Sequence, residues 1–176
     1  MAFEKTYVPY GAYFSSPFCR WQGSLGHLHA MELAANTTKR FLAEREISPD
    51  AFDELVLGIT VHQRRSFYGA PWLAGMIGAA DVTGPTLAQA CATSARMLAA
   101  AALEVETGQS ECILAVACDR TSNGPHVYYP NPKGTGGMGE AEDPVWDNFN
   151  LDPHAGGAML DTAENVAKKV GITKEE

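Results

Sequence analysis

The sequence predicts an α/β layered domain with a mainly parallel sheet, and three observations carry that expectation. Two apolar runs, "ELVLGITV" (54–61) and "ECILAVACD" (111–119), are continuous rather than alternating, the pattern of strands covered on both faces. Segments of helical length separate the strand-like runs, and parallel neighbours require such crossovers. With 176 residues, 45% apolar and 19% charged, the chain is long enough for one domain with a real core and far from disordered compositions.

In chain order, "YVPYGAYFSS" (7–16) is aromatic and β-prone and closes at Pro17, which predicts a first strand. "HAMELAANTTKRFLAER" (29–45) sets Met31, Leu33, Ala34, Ala35, Phe41 and Leu42 at helical spacing. "SPDAF" offers Ser48 as an N-cap and Pro49 at the first helical position, just ahead of the second strand at 54–61. "APWLAGMIGAA" (70–80) is a small-residue helix that stops near "DVTGP", and "PTLAQA" (85–90) reads as a short third strand. The next helix runs from about Ala92 to Thr107 and ends at Gly108, a favoured C-cap residue; 111–119 is the fourth strand.

From Arg120 the character changes. Residues 120–157 are rich in Gly, Pro, Asn and Asp without a sustained period, and a structureless stretch this long reads as a functional lid or binding loop. Helical spacing returns at "AMLDTAENVAKKVG" (158–171). "TKEE" (Thr173–Glu176) has the capping-box form that starts a helix. With the open edge expected of a four-strand sheet, that ending predicts a piece of a larger unit.

Bulk properties exclude some classes of partner. The net charge of −8 argues against nucleic acid or an anionic membrane surface. "MAFEKTYVPYG" is too polar for a signal peptide and no run approaches transmembrane length, so a cytoplasmic location is expected. Cys19, Cys91, Cys112 and Cys118 are too few and too spread for a disulfide framework, and no CxxC suggests zinc. Cys112 and Cys118 are expected to be reduced core thiols.

Cys91 is the candidate for chemistry. It ends a short strand and stands at or just before the first turn of a helix, where unpaired amides and the positive dipole end favour an anion. A thiolate there gains nucleophilicity, and the same amides would serve as an oxyanion hole. Ligands of open α/β sheets also bind beyond the carboxyl ends of strands. Against this stands a buried small thiol at a strand–helix junction, and local features leave both readings open. Ala99 to Ala102 allow close backbone approach, which predicts a buried helix, often against a symmetry mate.

"GPTLAQACATSARMLAAAALEVETGQSECILAVACD" resembles the active-cysteine segment of the thiolase superfamily. "SSPFCRWQGSL" (15–25) resembles the family's first-strand exit, "FDELVLGITV" (52–61) its second strand and "APWLAGMIG" (70–78) the helix after it. "AMLDTAENVAKKVGITKEE" (158–176) resembles a segment of its loop domain. The resemblance implies an incomplete N-terminal α/β core over 1–119 and a truncated loop or lid segment over 120–176. It implies that Cys91 is the nucleophile that takes an acyl group from an acyl-CoA thioester, and that Met159 lines the acyl pocket. CoA is then a substrate, with no tightly bound cofactor and no metal.

The chain departs from the family at several positions. Ser15 replaces a usual Arg, Ala158 a frequent His, and "CDRTSN" a usual G-G-x-E-x-M-S; Cys91 is followed by Ala-Thr-Ser. These changes suggest a divergent branch with an unusual acyl group. The family's activating histidine, second cysteine and asparagine–histidine region have no counterpart here, nor does its fifth strand. The resemblance therefore implies a C-terminal half on a separate polypeptide or a missing segment, a homo-oligomeric assembly, and no chemistry by this chain alone. A ketosynthase-like condensing enzyme and a non-catalytic scaffold half are the other readings; the "TAEN" segment favours thiolase over the ketosynthases.

Other motifs read blandly. His27 and His29 lack further ligands and are expected to be solvated or capping. His62 with "HQRRSF" reads as interface or surface. "KGTGGMG" (133–139) lacks a preceding strand and the Gly-Lys-Ser/Thr of a P-loop, so it reads as lid. His126 and His154 read as loop histidines without a catalytic role.

Overall fold

The computed structural model describes residues 3–122, 124–137, 139–173 and 175. The chain forms two compact units, Met1–Asn123 and Gly124–Glu176.

The first unit is built on a three-stranded parallel sheet. Strands β1 (Glu54–Gly58), β2 (Thr86–Leu87) and β3 (Ile113–Ala117) take the order β2-β1-β3. Register pairs Leu57 with Thr86 on one side of β1, and Glu54 through Gly58 with Ile113 through Ala117 on the other. Three long helices accompany it: α1 (Ala30–Glu44), α2 (Ala70–Ile77) and α3 (Thr93–Thr107). The path leaves β1 through α2 to β2, then returns through α3 across β1 to β3. Keeping one crossover hand while reversing direction puts the two helices on opposite faces.

The pleat decides which side chains meet which helix. Leu55 and Leu57 of β1 and Leu114 and Val116 of β3 pack with Met31, Ala34 and Ala35 of α1 and Leu73, Ala74 and Ile77 of α2. Val56 points to the other face and packs with Met97 and Ala101 of α3. β1 is therefore buried on both sides, as its unbroken apolar run predicts.

Local chemistry explains the helix ends. Ser48 Oγ accepts from the Asp50 amide and Pro49 opens a single 3₁₀ turn. Gly78 and Gly108 close α2 and α3 in the left-handed conformation. His29 caps α1: Nδ1 accepts from the Met31 amide, and Nε2 donates to the Arg64 carbonyl at 2.6 Å. Two acceptor-donor roles on one ring fit a neutral, capping imidazole.

Several expectations need correction. The stretch 7–16 forms no strand; Ala12 to Arg20 has no sheet pairing among the described residues. Pro9 and Pro17 remove two donors, a turn closes from the Ala12 amide to the Pro9 carbonyl, and no neighbouring strand offers a ladder. Cys112 and Cys118 are free thiols but not core ones, since Cys112 is exposed and Cys118 half-buried. β3 spans only 113–117 at a sheet edge, so both fall just beyond its ends. Burial pushes the Cys118 thiol up to about 12, with Asp119 adding to it. α3 buries Thr93, Met97 and Ala101 against its own chain and leaves Ala99, Leu98 and Leu103 exposed, the surface that a symmetry mate would have to cover.

The second unit holds more regular structure than its composition predicts. β4 (Val127–Tyr129) and β5 (Glu140–Glu142) pair antiparallel, with the Tyr129 hydroxyl donating to Glu142 Oε2 at 2.6 Å. Two helices follow, α4 (Trp146–Asn150) and α5 (Met159–Val170). Asp143 Oδ1 accepts the Val145 and Trp146 amides and Asp152 Oδ1 those of His154 and Ala155, so local carboxylates shape the turns. α5 leaves Leu160, Val166 and Val170 exposed. The capping box at 173–176 includes Lys174 and Glu176, which lie outside the described residues, as does Met138 of the glycine-rich loop.

Candidate functional site

All three strands of the sheet run the same way, so the segments after β1, β2 and β3 emerge at one edge. Thr60 and Val61 follow β1, Gln89 to Ala92 follow β2, and Cys118 to Arg120 follow β3. These three segments build the surroundings of Cys91.

Cys91 is exposed and lies in the 3₁₀ turn Ala90–Ala92 that leads directly into α3. The backbone before it is strained. Ala90 has φ +44°, a conformation costing an L-residue about 1–2 kcal/mol, which persists only where its surroundings enforce it.

The enforcing contacts are specific. The Thr93 hydroxyl, 5% exposed, donates to the Ala90 carbonyl at 2.7 Å and accepts the Gln89 amide at 2.8 Å. Thr60 Oγ1 lies 2.8 Å from Thr93 Oγ1 and 3.3 Å from the Ala90 carbonyl. The Ala92 amide closes the turn onto the Gln89 carbonyl. Gly58 lets this end of α3 approach β1, since a Cβ there would sit 3.0 Å from Thr93 Cγ2.

Behind Thr60 stands Asp119. Its carboxylate accepts the Thr60 amide at 3.1 Å and the Val61 amide at 2.7 Å. Desolvation by the surrounding protein raises its carboxyl above the ordinary range, against the lowering by the Val61 and Thr60 amides. β1 ends at Gly58 rather than continuing to Val61, because those two amides turn to the carboxylate instead of a ladder.

A cleft of about 370 Å³ lies on the far side of β3, between residues 14–20, α1 and the end of β3. Phe14, Phe18, Ala34, Val116 and Cys118 line it, and Cys91 does not. Met159 is the first residue of α5, half-buried within the second unit. No cluster of three or more metal-ligating side chains exists among the described residues. No helix among them is long and apolar enough to cross a membrane.

Thr60, Ala90, Thr93 and Asp119 were not singled out from the sequence. Threonine inside an apolar run and an acid after one are common, and no spacing joins positions 60, 93 and 119.

The family profile described as "Thiolase, N-terminal domain" matches residues 13–176. The chain belongs to the thiolase family. It is 32% identical over 164 residues to an acetyl-CoA acetyltransferase of Pseudomonas aeruginosa, covering 89% of this chain and 40% of the relative. It is 30% identical to an acetyl-CoA acetyltransferase of Cupriavidus necator over the same shares. The acetyl-CoA acetyltransferase of Syntrophomonas wolfei superposes with a TM-score of 0.77 at 26% identity, over 92% of this chain and 41% of that one. The chain thus spans about two-fifths of the length of these thiolase relatives.

Proposed function

We propose that this thiolase-family chain is the nucleophile-bearing part of an acyltransferase acting on acyl-CoA. Cys91 attacks the thioester carbonyl, a tetrahedral oxyanion forms, and the CoA thiol leaves with a proton, producing an acyl-S-cysteine. In the synthetic direction a carbon nucleophile then takes the acyl group. In the degradative one Cys91 instead attacks the 3-oxo carbonyl of a 3-oxoacyl-CoA, the C2–C3 bond breaks, and acetyl-CoA leaves once C2 has taken the thiol's proton. Free CoA then thiolyses the acyl-cysteine. Met159 lines the acyl pocket, and residues from about 120 onward form part of the loop domain over the substrate.

One observation carries this reading: an exposed thiol sits in a strained turn at the carboxyl edge of a parallel sheet, directly ahead of a 15-residue helix. Amides at such a turn favour the negative charge that develops on an oxyanion during attack. Strain of this kind concentrates where geometry serves chemistry.

The chain works within a larger assembly that supplies the base and closes the site, a homo-oligomer completed by a C-terminal thiolase half. Two features support this. The chain spans about two-fifths of its relatives' length, and α3 leaves Leu98 52% and Leu103 46% exposed around its alanines. Exposed apolar faces of this kind mark surfaces to be covered.

The experiment is co-purification with the encoded C-terminal half, incubation with acetyl-CoA, and peptide mass spectrometry. An acetyl adduct on Cys91, lost in Cys91→Ser and released by free CoA, is the expected outcome. An adduct that CoA does not release points to a ketosynthase-like condensing enzyme. No adduct in the complete assembly makes the chain a scaffold and overturns the proposal.

A further inference from the structure

We infer that Asp119 is a positioning residue for Cys91, acting through Thr60 and Thr93; the inference rests on the reading of Cys91 as the nucleophile. The four residues come from the ends of all three strands and the start of α3, and no segment could set the thiol's direction alone.

The path is continuous. The Asp119 carboxylate holds the amides of Thr60 and Val61, with distances of 3.1 and 2.7 Å, and so fixes the backbone that carries the Thr60 hydroxyl. That hydroxyl meets Thr93 Oγ1 at 2.8 Å. Thr93 in turn grips both sides of the strained residue, accepting from the Gln89 amide and donating to the Ala90 carbonyl. The proton count closes: Thr93 gives its proton to Ala90, and Thr60 gives its own to Thr93.

Each link has no substitute nearby. Left-handed alanine relaxes unless it is held. Thr93 is only 5% exposed, so little solvent reaches its oxygen to take the place of Thr60. Thr60 sits past the last paired residue of β1, where Asp119 holds the backbone amides of Thr60 and Val61. A carboxylate suits this task better than a neutral acceptor, because its two oxygens take two amides at once.

The test compares iodoacetamide labelling of Cys91 with that of exposed Cys19 in the same molecules, by peptide mass spectrometry. Asp119→Ala and Thr60→Val should each lower the Cys91/Cys19 rate ratio by about fivefold, the size expected for losing one such hydrogen bond. Asp119→Asn, which keeps one acceptor, should recover part of the loss. The double variant should fall no further than either single one, because both act on one path. A merely structural role would lower all thiol selectivity, or none, and show no such rescue.

An unchanged ratio in Thr60→Val overturns the inference, and this variant decides the matter if Asp119→Ala does not fold. The acyltransferase reading fails separately, through absence of an acyl adduct in the unaltered assembly. A changed ratio with no acyl adduct would leave the positioning intact and remove only its catalytic purpose.

Discussion

Glu104 offers the sharpest test of how this fold responds to pH. It lies in the last turn of α3, where the negative dipole end already disfavours a carboxylate, and it shares a hydrogen bond with Glu54 at the start of β1. Ser110 Oγ donates to Glu54 as well, at 3.2 Å. The shared hydrogen bond, then desolvation and repulsion by Glu54, raise the Glu104 carboxyl from 4.5 to about 7. At 1.36 kcal/mol per decade, a fully expressed effect of that size is about 3 kcal/mol. Solvent reaches both side chains, and screening reduces this to about 1 kcal/mol.

The sign follows from proton binding. The folded chain holds this proton more tightly than the unfolded one, so the associated stability is whole below about 4.5 and is lost as pH rises through about 7. Glu104→Gln keeps a hydrogen bond to Glu54 without the charge. Urea unfolding of both proteins at about pH 5 should give nearly equal stabilities, and at about pH 8.5 the variant should lead by about 1 kcal/mol. In a chain of this size that is about 2–4 °C in Tm. Parallel stability curves across the range would refute the reasoning.

Three further outcomes are expected. Leu57→Ala, at a fully buried position shared by β1 and both α1 and α2, should cost about 2–5 kcal/mol in urea unfolding. Gly84→Ala should lower Tm markedly, because its Cβ would run into the Leu55 carbonyl beside the β1–β2 pairing, and circular dichroism melts will read it. Glu106 accepts the amides of Glu4, Lys5 and Thr6, and the Lys5 and Glu4 amides hold its carboxyl below the usual range. Glu106→Gln should therefore speed hydrogen exchange across residues 4–6. In the parent that protection should be present above the ordinary carboxylate range and fade as pH falls through the lowered value.

The α/β class, the three long helices of the first unit, the capping turn at Ser48 and the place of Cys91 ahead of α3 are all legible in the sequence. These depend on local signals: apolar period, helix caps and terminal glycines act over a few residues and need no distant partner. The thiolase resemblance is legible too, through two segments at suitable spacing. The stretch 7–16 shows the limit of such signals. Its composition is that of a strand, yet a strand is a pairing, and no ladder forms beside it.

Tertiary structure alone decided which faces are covered and what surrounds the thiol. Cys112 and Cys118 read as core from an apolar run, but β3 is an edge strand that ends between them. Asp119, Thr60, Thr93 and Ala90 are spread over sixty residues with no common motif, and only the parallel sheet brings them to one edge. Hydrogen bonds between such positions carry no sequence period, because their geometry is set by strand register and by α3 packing over Gly58. The sequence singled out Cys91; the fold brings Thr60, Thr93 and Asp119 to the turn that carries it.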